Sequence, residues 1–250
     1  MLRFDEVVFM DDFFRSPVNG LISHPGNRRF LRALFETSCA RLGIPLREVL
    51  ADCDGGDVHL SSLMDRLGLE CSTAGWAAAG VSNLDAALAD DRSLLLGPRS
   101  LVIGWGLPPS LLHYIEGVGA AFIDIEVDPL RFARHLHLCA RTNDSQILSV
   151  LRSLEVSDEI FWSSASTIRA YFARNGSSDL IAPTCSVGLF AGQTNVDLAL
   201  VCNGRLVSPK DHVEQIARWA EEVDVMLVKR HPYSGESGDL SELIERMPNA

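Results

Sequence analysis

The chain has 250 residues, a hydrophobic content of 47% and a formal charge of −11 at pH 7. This length suits one large domain or two small ones, and the hydrophobic content is ordinary for a globular α/β protein. The negative charge argues against binding of nucleic acid through a broad basic surface, although a few local cations can still create a site for a small anion.

The N-terminal residues and the spacing of the cysteines indicate a cellular location. Asp5 and Glu6 interrupt any apolar segment of the signal-peptide kind, and no window reaches the roughly eighteen uncharged apolar residues of a membrane span. The six cysteines form no C-x-x-C pair and no zinc-finger spacing, so buried reduced thiols are expected. We therefore expect a chain without a transmembrane segment, in the cytoplasm or peripheral to a membrane.

Apolar runs predict three buried strands in the first half of the chain: Glu6–Met10, Ser100–Gly104 and Ala120–Ile125. Helices are predicted at Arg28–Leu42, Pro109–Ile115, Ser145–Leu154 and Asp158–Arg174, and from about Leu130 onward. His135 and His137 would lie on the last of these, on different faces, and would make a poor metal pair. Short helical fragments are expected over residues 46–70, around a polar loop that lacks the spacing of a calcium site.

The second half follows a linker candidate at Asn175–Ser178. Its predicted elements are a strand at Ser186–Phe190, a strand at Leu198–Cys202, a turn at Asn203-Gly204, a helix capped by Ser208, a strand at Val223–Val228 and a helix at Asp239–Arg246. The fold class is therefore α/β with two Rossmann-like halves, an N-terminal domain over residues 1–178 and a C-terminal domain over 179–250. Three strands are fewer than the five or six of a doubly wound half, so we expect the second domain to be incomplete.

Polar side chains follow two of the predicted strands in the second half, where open α/β sheets bind ligands. Gln193, Thr194 and Asp197 follow the first strand, and the cluster Lys229, Arg230, His231 and Ser234 follows the third. Cations beside hydroxyl and backbone donors suit a phosphate, so the second cluster is a candidate anion site. The alternative is an ordinary exposed cationic strand end.

Two carboxylates are candidates for chemistry. Asp197, beside amide and hydroxyl groups, could act as a nucleophile or base, or could simply satisfy backbone donors in its own turn. Glu126 lies between a strand and a helix, where acids are also common because they suit a helix N-terminus. Both interpretations stay open for each residue.

The motif G-Q-T-x-x-D at 192–197, with an N-G turn, a helix and V-K-x-H-P at 228–232, resembles the donor half of the retaining β-Kdo glycosyltransferases of bacterial capsule and O-antigen synthesis. The matching residues are Gly192, Gln193, Thr194, Asp197, Lys229, His231 and Pro232. The run at 122–132 is similar through Glu126, Pro129, Arg131 and Phe132, although Asp128 stands where that family has His. The resemblance extends over about residues 100–235.

The resemblance implies a glycosyltransferase-B-like enzyme that transfers Kdo from CMP-Kdo to a glycan or glycolipid acceptor with retained configuration. Asp197 would be the nucleophile, Glu126 the base for the acceptor hydroxyl, and His231 with Lys229 would hold the departing CMP phosphate. Gln193, Thr194, Arg230 and Ser234 would complete the donor site. No metal or other cofactor is implied, and the location would be the cytoplasm or the periphery of the inner membrane.

Two other functions remain. One is a non-catalytic nucleotide-sugar-binding or assembly module of a polysaccharide-synthesis complex, which an incomplete second domain would favour. The other is an unrelated α/β enzyme for a phosphorylated metabolite, with the turn at His231 as its anion site. Neither a P-loop, a G-x-S-x-G elbow nor an H-E-x-x-H motif occurs in the sequence.

Overall fold

The computed structural model describes residues 3–21, 25–89, 94–128, 135–175, 185–194, 196–231 and 239–247. The chain divides into two compact units, Met1–Ala170 and Tyr171–Ala250. Of the linker predicted at Asn175–Ser178, Asn175 ends a helix and the other residues lie outside the described ones, as do the motif residues Pro129, Arg131, Phe132 and Pro232.

The first unit contains a five-stranded sheet, which confirms a mixed α/β architecture. Its strands are β1 (Glu6–Asp11), β2 (Leu46–Val49), β3 (Ser100–Trp105), β4 (Ala121–Val127) and β5 (Leu138–Thr142), in the order β2-β1-β3-β4-β5. The first four are parallel and β5 is antiparallel to β4. The carboxyl ends of β1, β3 and β4 therefore meet at one edge of the sheet.

Five described helices lie between these strands: α1 (Pro25–Leu42), α2 (Leu60–Arg66), α3 (Thr73–Ala79), α4 (Asp85–Leu88) and α5 (Pro109–Gly117). Two more follow β5: α6 (Ser145–Ser153) and α7 (Asp158–Asn175), whose last residues belong to the second unit. Short 3-10 turns occur at Pro17–Asn19 and Asp52–Asp54. The helices predicted near α1, α5, α6 and α7 are confirmed. Among the described helices, none has both the length and the apolarity that crossing a membrane requires.

Part of the core of the first unit lies between α1 and the sheet. Val7 and Phe9 of β1, Ile103 of β3 and Ile125 of β4 pack with Leu31 of α1 in one buried cluster. These strands are continuous apolar runs because parallel strands are buried on both faces. The packing fixes the sheet edge at which Asp11, Trp105 and Val127 end their strands.

Two predictions in the first unit are wrong. Leu46–Val49 is strand β2 rather than a helical fragment, because it pairs in register with β1 along its whole length. His135 and His137 do not lie on a helix: the carbonyl of His137 accepts a hydrogen bond from the Asp128 amide at 3.0 Å and so extends the β4–β5 ladder. The segment 129–134, where that helix was predicted to begin, lies outside the described residues.

The second unit is a small β-α-β arrangement. Its elements are β6 (Val187–Ala191), the short hairpin β7 (Val201–Cys202) and β8 (Arg205–Leu206), α8 (Val213–Glu221), β9 (Val225–Lys229) and α9 (Asp239–Arg246). Strands β6 and β9 are parallel, with Ala191 opposite Lys229. Asn203 and Gly204 have φ angles of 51° and 75°, so the predicted turn is confirmed with the positive φ values that a two-residue hairpin turn favours.

Leu198–Cys202 was predicted as one strand, and this is wrong. Residues Leu198–Leu200 form a 3-10 turn and only Val201–Cys202 is extended. The reason is Asp197, whose side chain caps that turn by accepting a hydrogen bond from the Ala199 amide at 2.9 Å. The predicted cap at Ser208 is confirmed, although the first turn, Pro209–His212, is 3-10 before α8 begins.

One face of the β6–β9 pair is covered by α8 and α9. The covering cluster is Ile216, Ala220, Met226, Leu240, Leu243 and Met247. On strands β6 and β9, Val187, Leu189 and Leu227 remain 37%, 64% and 42% exposed. We call these three residues the exposed apolar face of the small sheet.

Candidate functional site

A cavity of about 390 Å³ opens at the carboxyl end of β6. Twelve residues line it: Phe190, Ala191, Gly192, Gln193, Leu200, Leu206, Val207, Ser208, Pro209, His212, Ile216 and Leu240. Ligand pockets have volumes of about 300–1,000 Å³ and combine apolar walls with a few polar groups. Gln193, Ser208 and His212 are those polar groups here, and we call this space the β6 cavity.

Gly192 brings three elements together at the floor of the β6 cavity. Its amide donates to the carbonyl of Lys229 at 2.8 Å, which continues the β6–β9 pairing beyond the end of β6. A Cβ atom at this position would lie 3.3 Å from the Leu240 side chain and 3.3 Å from the Lys229 carbonyl oxygen. Glycine therefore allows α9 to approach the strand end.

The capping box at Ser208 forms the opposite wall. The Ser208 hydroxyl accepts from the Lys210 amide at 3.2 Å, and the Ser208 amide donates to the Asp211 carboxylate at 2.6 Å. These two bonds hold the turn Pro209–His212 and set where His212 lies, at the start of α8 and against the β6 cavity. Sequence reasoning recognised the cap but missed His212.

The cationic cluster lies beside the cavity rather than in it. Lys229 and Arg230 are exposed and His231 is half-buried. Because Lys229 pairs with Ala191, the backbone of the cluster begins about one strand spacing, ~4.8 Å, from that of the cavity wall. Lys229 alternates with Leu227 and so stands on the exposed face of the sheet, whereas α8 and α9 cover the other face. Ser234, the hydroxyl predicted to complete this cluster, lies outside the described residues.

Among the predicted site residues that the structure describes, Gln193 lines the β6 cavity, whereas Thr194 and Asp197 belong to the loop that follows. Asp197 is half-buried, and its amide donates to the Thr194 carbonyl at 3.3 Å. Its Oδ1 atom caps the next turn. One role of this carboxylate is therefore to accept a hydrogen bond from a backbone amide of its own loop.

Glu126 lies on an exposed face of the β4–β5 ribbon in the first unit. Together with Asp124, Cys139, Ala140 and Arg141 it lines a depression of about 160 Å³. Asp124 accepts hydrogen bonds from the Leu107 amide at 2.9 Å and from Arg141 Nε at 2.8 Å. Burial raises the pKa of the Asp124 carboxyl, although these two bonds lower it in part.

A second set of polar side chains lies at the carboxyl end of β1. Asp11 pairs with Arg28 at 2.7 Å, and Asp12 accepts a hydrogen bond from Trp76 Nε1 at 2.7 Å. Asp12 Oδ1 is enclosed and has no hydrogen-bond partner among the described residues. Burial raises the pKa of Asp12 to about 6. The sequence signal was an acidic pair directly after an apolar strand, which the functional interpretation did not use.

Within the described ranges, no group of three or more His, Cys, Asp or Glu side chains is arranged to hold a metal ion. No family model and no curated protein matches this chain.

Proposed function

We propose that this chain is a retaining glycosyltransferase of the glycosyltransferase-B-like kind, which transfers a Kdo-type acidic sugar from a CMP-linked donor to a glycan or glycolipid acceptor. The observation that carries the proposal is the β6 cavity, which is bounded by Gln193 and lies next to the cluster Lys229–His231. A nucleoside-sized space beside cations suits a nucleotide.

The chemistry proposed for the donor is a double displacement. An Asp197 oxygen attacks the anomeric carbon, the bond from that carbon to the CMP phosphate breaks, and CMP leaves with the electron pair. Lys229, Arg230 and His231 stabilise the phosphate charge that develops, with Thr194 and Ser234 as further donors. The hydrogen bond from Ala199 engages Oδ1 of Asp197 and leaves Oδ2 as the attacking atom.

The second displacement returns Asp197 to its starting form. An acceptor hydroxyl attacks the same carbon, the bond to Asp197 breaks, and a general base takes the hydroxyl proton. Glu126 is the residue proposed for that proton, on the strength of the resemblance at 122–132. The proposal invokes no metal ion.

A non-catalytic nucleotide-sugar-binding module is the second candidate, and one observation favours it. The Asp197 carboxylate already caps the 3-10 turn Leu198–Leu200, as an ordinary turn aspartate does. In that case the β6 cavity would bind a donor that another subunit consumes.

A thermal-shift titration of the full chain with CMP, using UMP and CDP as controls, tests the proposed donor. Preferential stabilisation by CMP is expected, because a ligand that binds the folded state stabilises it in proportion to the logarithm of its concentration over Kd. Stabilisation by UMP as strong as that by CMP would contradict a cytidylate donor.

Replacing the nucleophile separates the two candidate functions. If the chain is the transferase, Asp197→Asn abolishes Kdo transfer from CMP-Kdo, with a loss of at least about 10³-fold in kcat, while CMP binding is retained. The matched control is Asp224→Asn, which removes a carboxylate that accepts hydrogen bonds from the amide and the hydroxyl of Ser186 before β6. Nucleotide binding without turnover in the wild-type chain would instead support the binding module.

A further inference from the structure

The β6 cavity and the cluster beside it differ sharply in polarity. Most cavity-lining residues are apolar, and none of the twelve described lining residues carries a carboxylate or an ammonium or guanidinium group. A phosphate would lose its hydration among such walls without full compensation. A flat heterocycle, in contrast, gains from apolar contact on its faces and needs only a few hydrogen bonds at its edge.

The two sides of the cavity also differ in charge. At the turn before α8, the Asp211 carboxylate accepts a hydrogen bond from the Ser208 amide. It places a negative charge next to His212 in the chain. Nζ of Lys210, in the same turn, lies 3.7 Å from Oε2 of Glu242, so the carboxylate offsets the charge of the ammonium group. On the β9 side, Arg230 is an exposed cation just past the end of the strand, whereas Lys229 stands in the same row as Leu227, on the other face of the sheet. An anionic group therefore meets a full cationic charge at the β9 side, and a carboxylate together with the backbone amides of a first helical turn at the α8 side.

We infer that the β6 cavity binds the nucleoside part of a nucleotide and that His212 is the residue that hydrogen-bonds its base, with the phosphate directed toward Arg230. This inference rests on the proposed function, because it divides the proposed donor between the two subsites. His212 suits the role because its ring can donate or accept one hydrogen bond. The capping box fixes the turn that carries it.

The test is calorimetric titration of the full chain with cytidine and with CMP. We expect His212→Ala to weaken both ligands by the same factor, about tenfold for one lost hydrogen bond to the base. Arg230→Ala is expected to weaken CMP binding and leave cytidine binding unchanged. His212→Gln restores part of the affinity, because its amide also donates and accepts.

Gln215→Ala is the matched control, since Gln215 is exposed on α8 one turn further along and does not line the cavity. Equal melting temperatures for these variants exclude a loss of folding as the cause. A blocking variant, Leu206→Trp, fills the cavity and is expected to reduce cytidine binding while the cationic cluster stays intact.

The outcomes separate the inference from the proposed function. CMP binding that is unchanged in His212→Ala and in Leu206→Trp overturns the inference and leaves the proposed donor standing. Binding of UMP or AMP in place of CMP, with the same dependence on His212, supports the inference and overturns the cytidylate donor. If no nucleoside or nucleotide binds, both are overturned.

Discussion

Asp12 lies directly after β1, and its surroundings control when its carboxyl group loses a proton. Burial raises its pKa from 3.8 to about 6, while the hydrogen bond from Trp76 opposes that rise. The folded chain therefore keeps this proton up to about pH 6, whereas the unfolded chain releases it near pH 3.8. The free energy of unfolding must fall as the pH rises through this window, and above it the loss stays constant.

Asp12→Asn is expected to remove this pH dependence, because an amide does not titrate. Relative to the variant, the wild type should lose about 2 kcal/mol between pH 4 and pH 7, from 1.36 kcal/mol for each tenfold change in proton affinity. Urea unfolding at a series of pH values measures this difference. Asp65→Asn, which removes an exposed carboxylate from α2, should leave the profile unchanged. Parallel profiles for wild type and Asp12→Asn would contradict the expected burial effect.

At the scale of elements, the strands of the first unit that the sequence predicted well are those buried on both faces. Strands β1, β3 and β4 appear as uninterrupted apolar runs, and residues such as Val8 and Val102 are fully buried. Strand β5 carries no such pattern, since Leu138–Thr142 is almost entirely exposed. Its conformation comes from pairing with β4, which is a tertiary effect that local sequence does not encode.

The residues of the candidate site also fall into two groups, those that the sequence could predict and those that it could not. Gln193 and the cluster Lys229–His231 could be predicted because they directly follow strands, where polar residues interrupt an apolar run. The β6 cavity could not, because its lining comes from both ends of the second unit and includes Leu240 of α9. His212 has no local signal beyond the start of a helix, and its importance follows only from the packing around it.

The capping box before α8 gives a prediction at this scale. Ser208→Ala removes the acceptor for the Lys210 amide, and a lost N-cap costs about 1 kcal/mol. We expect this loss in the free energy of unfolding, together with weaker ligand binding in the β6 cavity, because Ser208 and His212 line it. Hydrogen exchange over residues 208–216 and ligand titration measure the two effects.

Ser241→Ala on α9 is the matched control, because it removes an exposed hydroxyl within a helix of the same unit. A Ser208→Ala chain as stable as this control would show that the cap contributes nothing to the helix.

At the scale of the whole molecule, each unit has a hydrophobic core of its own. The core of the first unit includes Ile103, and the core of the second includes Ile216. Units with separate cores can open separately, so their local stabilities need not be equal. The smaller core of the second unit predicts the lower stability of the two.

Matched substitutions test this separation. Ile103→Ala and Ile216→Ala each remove the same atoms from a buried position and should cost about 2–5 kcal/mol. We expect faster hydrogen exchange in the first unit alone for Ile103→Ala and in the second unit alone for Ile216→Ala. Equal effects of both variants on both units would indicate one cooperative transition.

The exposed apolar face of the small sheet affects how the second unit should behave when it is separated from the first. Among the residues that the structure describes, strands β6 and β9 pair only with each other, and within that part of the chain the small sheet has two open edges. Open edges beside exposed Leu189 and Leu227 form a template for strand addition from another molecule. Residues 171–250 produced as a separate fragment should therefore aggregate as their concentration rises. Leu189→Lys is expected to reduce this aggregation, which light scattering measures.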